Sequence, residues 1–280
     1  ESAPRGVYTG AIGFVSPRDA RGPRASFSVG IRTVVLDSES GDAEYGVGGG
    51  ITFDSDPAEE YEEAALKAQI LTYGRTDFAL LETMRWNPVS GWYWLEEHLD
   101  RLAASADYFD IPFDRTRVVS RLDKAVAGSD ESRVRLTLDR LGMVTVNVAS
   151  LARPERDSVA VAIDQRPVDI DSPFLYHKTT RRRVYEERRA AHPHADDVLL
   201  VNEDGEITES TIANIVVKLD GQWFTPPTES GCLPGVYRAV LLDQGQIQER
   251  RIHVSDLAQS DGIALINSVR LWRPAFLVDD

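Results

Sequence analysis

The sequence has little of several features that define special classes of protein. Its 280 residues include one cysteine, Cys232, so an internal disulfide is excluded and a reducing compartment is favoured. No apolar run reaches the length of a membrane span. No basic and apolar leader opens the chain at Glu1, although a start without Met suggests that a segment upstream is missing. We therefore expect a cytoplasmic protein that neither crosses nor binds a membrane.

Positive charge is also scarce. There are 31 Lys and Arg residues against 45 Asp and Glu, which gives a formal net charge of −14. Because phosphate backbones are bound by basic surfaces, a nucleic-acid partner is not expected. The hydrophobic fraction of 42% is ordinary for a globular protein, and the length predicts two or three compact units.

The order of apolar patterns predicts an α+β chain. Strands at 7–14, 27–36 and 44–53 precede a helix that begins at Asp56-Pro57 and ends near Leu71. A second part then combines strands with amphipathic helices, predicted at 78–85, 95–109, 115–126, 133–139, 143–150 and 159–163. A linker is predicted at 165–172. The last part is rich in hairpin signals, with helices at 182–191 and 235–242 and strands at 197–201, 206–208, 215–219, 222–225, 247–253 and 263–268.

Three segments of the last part carry candidate chemistry. Lys178 follows the apolar run Phe174-Leu175-Tyr176, so its amine is a candidate for partial burial and a lowered pKa, although most lysines are simply solvated. Glu209 follows a hairpin and is either a turn or helix cap or a buried acid. Leu233-Pro234-Gly235-Val236 opens a helix, either as plain punctuation or as a phosphate site with the N–H groups of Val236 and Tyr237 as donors. An amine, an acid and a helix start are what pyridoxal phosphate (PLP) needs.

Two charged pairs at helical spacing are further candidates. His98 and Arg101 share one face of a helix, where Arg101 forms either a surface salt bridge or a phosphate clamp. Glu60 and Glu63 share a face of an earlier helix, and they form either a solvated acidic surface or a paired Mg²⁺ site. Asn267-Ser268-Val269 is a loop that can add a hydroxyl and an N–H to a phosphate site.

Together these segments resemble fold-type IV PLP enzymes, the group of class IV aminotransferases and 4-amino-4-deoxychorismate lyases. The resemblance covers residues 76–280 and rests on His98-Leu99-Asp100-Arg101-Leu102, His177-Lys178-Thr179-Thr180, Gly205-Glu206-Ile207-Thr208-Glu209 with Asn214, Leu233-Pro234-Gly235-Val236 and Asn267-Ser268-Val269. It implies a small α/β domain followed by a larger β-barrel-like domain. It also implies Lys178 as the Schiff-base lysine, Glu209 at the ring nitrogen and Arg101 at the phosphate, with Asn214, Val236, Tyr237, Ser268 and Val269 as further cofactor contacts. Thr83 falls near the lyase's proton-donor threonine, and Arg182 faces a substrate carboxylate.

Residues 4–71 resemble the C-terminal end of chorismate-utilising enzymes, in particular para-aminobenzoate synthase component I. The residues that match include Arg5-Gly6-Val7-Tyr8-Thr9-Gly10, Ile31-Arg32-Thr33, Gly48-Gly49-Gly50-Ile51 and Asp54-Ser55-Asp56-Pro57. By this resemblance Arg32 meets a chorismate carboxylate, and Glu60 and Glu63 bind Mg²⁺ only if that domain is complete. Most of the domain's length is absent, so we do not expect this segment to convert chorismate alone.

The two resemblances point to one pathway and predict three domains, at 1–74, 75–165 and 166–280. The expected activity is a PLP-dependent 4-amino-4-deoxychorismate lyase that forms p-aminobenzoate and pyruvate for folate biosynthesis, at the tail of a bifunctional synthase. A homodimer is expected, with a glutamine amidotransferase as partner of the full-length fusion. An aminotransferase on branched-chain or D-amino acids is the alternative, since both reactions begin alike, and a non-catalytic remnant that binds an aromatic ligand is a rival of another class.

Overall fold

A computed structural model of the chain describes residues 5–17, 24–72, 78–152 and 156–278, with only the backbone described for 69–72. The chain divides into two compact units, residues 1–76 and 77–280. Among the described residues, no helix combines the length and the apolar character that a membrane crossing requires.

The first unit contains two short hairpins and one helix. Strand β1 (Ala11–Val15) pairs with β2 (Ala25–Val29), β3 (Val34–Leu36) pairs with β4 (Ala43–Tyr45), and α1 covers Pro57–Thr72. The predicted helix is confirmed, and the Asp56 carboxylate caps it by accepting from the N–H groups of Ala58 and Glu59 at 2.8 and 3.2 Å. The predicted strand at 44–53 is wrong beyond Tyr45, because glycines that follow offer few side chains for a strand to pack.

The second unit begins with a four-stranded sheet in the order β6-β5-β7-β8. Its elements are β5 (Leu80–Asn87), β6 (Gly91–Trp92), α2 (Leu95–Tyr108), α3 (Arg115–Val126), β7 (Ser132–Leu138) and β8 (Val144–Ser150). Along β7 the residues alternate between buried and more exposed, so Val134, Leu136 and Leu138 pack in one core with Leu99 and Leu122 of the two helices. The helices at 95–109 and 115–126 are confirmed to within one residue.

The rest of the second unit forms an eight-stranded sheet in the order β11-β10-β9-β16-β15-β12-β13-β14. Its strands are β9 (Val159–Pro167), β10 (Asp197–Val201), β11 (Ile207–Ser210), β12 (Asn214–Leu219), β13 (Gln222–Thr225), β14 (Gln248–Glu249), β15 (Gly262–Asn267) and β16 (Leu271–Leu277). Strands β11 and β12 are joined by residues 211–213 alone, yet four strands separate them in the sheet. The sheet therefore curls until its edge strand β11 meets β12, where the Ser210 N–H donates to the Ala213 carbonyl at 2.8 Å.

Helices and turns cover both faces of this curled sheet. They are α4 (Pro173–Tyr176), α5 (Arg183–Ala191), α6 (Val236–Asp243) and α7 (Val254–Leu257). Within β12, Ile215 and Val217 belong to the core on the concave side, while Val216 packs with Leu241 of α6 on the other side. A strand buried on both faces shows no polar alternation, which agrees with the apolar run Ile215-Val216-Val217.

Several predicted boundaries in this region change. The predicted linker at 165–172 is wrong at its start, because Gln165–Pro167 continue β9. The predicted strand at 247–253 shrinks to β14, and α7 and β16 were not predicted. The boundary expected between residues 165 and 166 falls inside β9, and the division into three domains stays a prediction.

Candidate active site

A cavity of about 420 Å³ lies in the second unit, where the two sheets meet. Its wall takes Leu81 and Thr83 from β5, the N-terminal end of α6, the β11–β12 connection and the turn between β15 and β16. Lys178, Glu209 and Arg101 all line it, although 31 residues or more separate any two of them in sequence. The packing of the two sheets brings these three predicted residues to one cavity.

Lys178 is placed by backbone pairing with β5. The Leu81 N–H donates to the Lys178 carbonyl at 2.9 Å, and the Thr180 N–H donates to Ala79 at the same distance. This short antiparallel bridge anchors the lysine backbone, while its side chain enters the cavity. Burial, helped by the nearby Arg101, lowers the pKa of Lys178 from 10.5 to about 8. At pH 7 about a tenth of the amine is therefore neutral and nucleophilic, on the order of 300 times the fraction expected for an ordinary lysine.

Glu209 is a buried acid, with 4% of its surface exposed. One carboxylate oxygen accepts from the Tyr185 hydroxyl at 2.8 Å, and the other accepts from the Leu233 N–H at 3.2 Å. Burial raises the pKa of Glu209 to about 7, although both hydrogen bonds act in the opposite direction. A cationic group inside the cavity would therefore be stabilised by Glu209, because it would favour the charged form of this carboxylate.

The turn before α6 forms a tight backbone cradle. Asn214 donates from Nδ2 to the Leu233 carbonyl at 2.8 Å, and its Oδ1 would lie 1.9 Å from a Cβ atom built on Gly235. A larger residue would therefore require the Asn214 side chain to move. No side chain in the described part of the chain caps the helix that starts at Val236, so its first N–H groups are available to an anion.

The turn between β15 and β16 supplies the second wall of this end of the cavity. Ser268 and Val269 are both buried and both line the cavity. The Val269 N–H already donates to the Asn267 side-chain oxygen at 3.0 Å, and the Arg270 N–H donates to the same oxygen at 2.8 Å. The amide of Val269 thus holds the turn in shape. Five residues predicted to contact a phosphate line this cavity: Asn214, Val236, Tyr237, Ser268 and Val269. Their role at a phosphate stays a prediction.

Arg101 is held by a buried carboxylate. Its Nε and Nη2 atoms donate to the two oxygens of Glu82 at 2.9 and 2.6 Å, and Nη1 donates to the Pro234 carbonyl at 3.0 Å. His98 Nδ1 lies 2.7 Å from Glu82 Oε2. Burial alone would raise the pKa of Glu82, but Arg101 and His98 outweigh it and hold the pKa at about 2. The guanidinium is therefore fixed beside the Pro234 turn, as a phosphate clamp requires.

Two further predicted residues also line the cavity. Thr83 lies on the face of β5 opposite to Met84, which belongs to the core. Arg182 donates to the Thr211 carbonyl, and its guanidinium lies 4.6 Å from the centre of the Tyr185 ring. The catalytic role of Thr83 and the carboxylate-binding role of Arg182 stay predictions.

Sequence reasoning missed several residues of this site. Tyr185 carried no signal, because only the fold places α5 beside β11. Glu82 had a usable signal, since it is the one charged residue in the apolar start of β5. Arg133 and Arg135, which also line the cavity, alternate along β7 and so had to share a face.

The residues predicted for chorismate and Mg²⁺ lie in the first unit. Arg32 is exposed. Glu60 accepts from the Ser55 hydroxyl at 2.8 Å, and Glu63 pairs with Lys67 at 2.5 Å. Within the residues that the structure describes, no group of three or more potential ligands could hold a metal ion. Mg²⁺ binding therefore has no structural support, and the role of Arg32 stays a prediction.

The cavity fits PLP by the chemistry of its donors. Lys178 supplies a neutral amine for an aldehyde, Glu209 supplies a buried acid for a ring nitrogen, and the α6 N-terminus supplies amides for a phosphate. Gly235 lets Asn214 hold this turn, since a larger residue would displace the Asn214 side chain.

Comparison with known proteins gives the family. The model of the amino-transferase class IV family matches residues 79–276, which is most of the chain. The chain belongs to this family. A second model, of chorismate binding enzymes, matches residues 1–73. Both predicted resemblances, and the fused order in which they occur, are therefore confirmed.

Two relatives match different parts of the chain. A Schizosaccharomyces pombe protein provisionally named aminodeoxychorismate lyase is 32% identical over 185 residues, which cover 63% of this chain and 80% of that protein. The aminodeoxychorismate synthase of Streptomyces griseus is 52% identical over 68 residues, or 24% of this chain, but the match covers only 9% of the synthase. The similarity of the first unit to the synthase is thus high in sequence identity but limited to a short segment.

Solved structures confirm the predicted fold class. A provisionally named amino-acid aminotransferase from Mesorhizobium loti has a TM-score of 0.69 and 36% identity, covering 72% of this chain and 100% of its own. A hypothetical aminotransferase from Mycobacterium tuberculosis, solved with alpha-ketoglutarate and PMP bound, has a TM-score of 0.63 and 28% identity, covering 75% of this chain and 83% of its own.

Proposed function

We propose that the second unit is a PLP-dependent 4-amino-4-deoxychorismate lyase that releases p-aminobenzoate and pyruvate. The observation that carries this proposal is the pairing of Lys178 and Glu209 in one cavity, with pKa values moved to about 8 and about 7. Perturbed groups of this kind concentrate at functional sites. Lyase chemistry is favoured by the S. pombe relative and by the chorismate-binding match at residues 1–73.

PLP, when bound, supplies an aldehyde that Lys178 would hold covalently and a ring that withdraws electrons. Glu209 would keep the ring nitrogen protonated, since its carboxylate gains a cationic partner in a buried site. Arg101 and the first amides of α6 would hold the phosphate, and Asn214 would keep their turn in place. The remaining cavity receives the substrate ring.

The residues of the chain then handle two protons. The free Lys178 amine takes the proton from the ring carbon that bears nitrogen, because its lowered pKa makes the neutral form accessible near neutral pH. The bond between the neighbouring ring carbon and the ether oxygen breaks, and the ring becomes aromatic. Thr83, on the cavity face of β5, gives a proton to the departing enolpyruvyl group, which leaves as pyruvate. Substrate and products balance without an oxidant or a second substrate.

The direct test is turnover of 4-amino-4-deoxychorismate by the PLP-loaded chain. We expect p-aminobenzoate and pyruvate in equal amounts, and a loss of about 10³-fold in kcat for Lys178→Ala, because a general base contributes factors of this size. Lys218→Ala, on the surface of β12 and outside the cavity, is the matched control and keeps the parent rate. Undiminished turnover by Lys178→Ala would refute the mechanism.

An aminotransferase is the second candidate, and the likeness to the M. loti structure at 36% identity favours it. The same Lys178 and Glu209 would serve it, so the reaction products decide. Amino-group transfer from leucine or D-alanine to a keto acid, without p-aminobenzoate formation, would establish the aminotransferase instead. The homodimer and the amidotransferase partner remain predictions, which light scattering and co-purification of the full-length fusion test.

A further inference from the structure

Five of the arginines that line the cavity have no acidic partner in the described part of the chain. One of them, Arg182, donates to the Thr211 carbonyl and lies over the Tyr185 ring, and the other four belong to β7 and the β15–β16 region. Arg133 and Arg135 come from β7, and Arg270 and Arg273 come from the β15–β16 turn and β16. The guanidinium of Arg270 donates to the Ala152 carbonyl at 2.5 Å, and that of Arg273 donates to the Arg156 carbonyl at 2.9 Å. These carbonyls are neutral, so the hydrogen bonds orient the two cations and leave their charge uncompensated.

The surroundings of Arg270 are crowded with positive charge. Burial, followed by the neighbouring charges of Arg273, Arg133 and Arg85, lowers the pKa of Arg270. The whole protein nevertheless carries a formal net charge of −14. Arg270 and Arg273 are half-buried, and a ligand of negative charge would relieve the repulsion between them and their cationic neighbours. The cluster therefore indicates an anionic ligand.

Arg270 and Arg273 also stand where two cavities adjoin. A second cavity of about 460 Å³ shares Ile212, Ala213, Asn267, Arg270 and Arg273 with the first, and the charged residues that it adds are Arg156, Arg189, Asp196 and Asp197. The two added carboxylates accept from Ala160 and Thr211 respectively. A ligand whose reacting end lies at Lys178 thus has room for a charged group at this shared wall.

We propose that Arg270 and Arg273 form a carboxylate-binding subsite that makes the enzyme selective for dianionic ring substrates. The assignment rests on the proposed lyase function, whose substrate carries two carboxylates. Guanidinium groups bind carboxylates through paired hydrogen bonds, which are strong where water is partly excluded.

Arg270 and Arg273 suit this role better than Arg133 and Arg135. Arg133 and Arg135 are exposed, whereas Arg270 and Arg273 are half-buried and tethered to backbone carbonyls. The Asn267 side chain fixes the turn by accepting from the N–H groups of Val269 and Arg270. A site that is already ordered loses less entropy on binding.

The test measures binding rather than turnover. Isothermal titration of the PLP-loaded full chain compares 3-(carboxymethoxy)benzoate, a dianion, with 3-methoxybenzoate, its matched monoanion. We expect the parent to bind the dianion about 10- to 100-fold more tightly, as charge-assisted hydrogen bonds predict. Arg270→Gln and Arg273→Gln should bind both probes with the same affinity, while Arg121→Gln, exposed on α3 and outside both cavities, keeps the parent's preference.

Arg273→Lys separates geometry from charge, because lysine keeps the charge but not the fork; we expect it to retain part of the preference. Thermal melting confirms that each variant is folded. Parent-like preference in Arg270→Gln and Arg273→Gln would overturn the subsite, even if the enzyme is a lyase. A preference that depends on both arginines in a protein without lyase activity would support the subsite and refute the proposed function.

Discussion

The two units of this protein differ most in how they treat apolar side chains. In the second unit, strands and helices bury four hydrophobic clusters, and Leu136 and Leu199 are completely inaccessible. In the first unit, Gly30 is the one buried residue among 5–17 and 24–68, and Phe14, Val15 and Phe53 are exposed by 54%, 70% and 103%. Both units have paired strands, but one of them has a core.

The difference shows that backbone pairing and a strong family match do not by themselves produce a buried core. The hairpins β1–β2 and β3–β4 are regular, yet two-stranded ribbons are marginal in water without a hydrophobic face to bury. Many of the large apolar residues that the first unit exposes, such as Phe14, Phe27 and Leu36, lie on these strands, as expected for surfaces that another structure covers. Stability and chemistry are both concentrated in residues 77–280.

The largest expected effect comes from separating the units. Residues 77–280 expressed alone should unfold in one cooperative transition, because they contain every described hydrophobic cluster. Residues 1–76 alone should show no such transition, since Gly30 is the one buried position in the described part of that unit. Circular dichroism during heating measures both. A cooperative melt of the first unit would break the comparison.

A second contrast sets a buried acid against an exposed one. Glu82→Gln should lower the free energy of unfolding by about 3 to 5 kcal/mol at pH 7, because it leaves the Arg101 charge without its partner. Glu63→Gln, which breaks the exposed pair with Lys67, should cost about 0.5 kcal/mol or less. Urea denaturation of the full chain reports the first value, and equal costs would contradict the contrast.

The Glu82 effect has a defined pH dependence. Its folded pKa of about 2 lies below the ordinary 4.5, so the carboxylate stabilises the fold fully above pH 4.5. This contribution is lost as the pH falls from 4.5 towards 2. The difference between parent and Glu82→Gln should shrink over the same window, and a constant difference would show that Glu82 is not ionised.

Two leucines in strands make a matched pair for packing. Leu136→Ala in β7 should destabilise the chain by about 3 kcal/mol, because a fully buried side chain leaves a cavity. Leu36→Ala in β3 should change stability by less than about 0.5 kcal/mol, since Leu36 is 65% exposed. Denaturant midpoints provide the test, and a large cost at Leu36 would show that the first unit is packed in solution.

The smallest expected effect concerns the environment of one amine. Only a neutral amine attacks an aldehyde, so capture of PLP by the cofactor-free protein should accelerate about tenfold per pH unit up to pH 8. Above that pH the rate should level off, because the pKa of Lys178 is about 8 rather than 10.5. Stopped-flow absorbance follows the capture, with Lys178→Ala as the blank. A rate that keeps rising to pH 10 would place the lysine in water.

The sequence predicted regular helices better than strands. The helices at 95–109 and 115–126 were found because Leu99, Leu102 and Leu122 recur at helical spacing and become core residues. Strand β16 was missed because Trp272, Arg273 and Pro274 mix residue types with no alternation, and the strand exists only through pairing with β15 and β9. At 46–53 the error is the opposite one, because a strand was predicted where the structure has none. The sequence pattern there suggested a strand, but these residues pair with no other strand in the described part of the chain.

Some residues of the candidate site could be predicted from local sequence motifs, and others only from the fold. Local motifs were enough to single out Lys178, Glu209 and the turn at Gly235, because each motif is a contiguous run of residue types with a chemical use. Tyr185 and the Glu82–Arg101 pair required the fold, since partners 19 or more residues apart meet only when sheets and helices pack.

The sequence by itself determined the family, the mixed architecture and the segments that carry the chemistry, because these depend on residue type and spacing along the chain. The tertiary structure decided the pKa shifts of Lys178 and Glu209, the partners that hold them and the arginines that line the same cavity. Charge states and anion sites depend on burial and on distances between segments, and a linear order of residues contains neither.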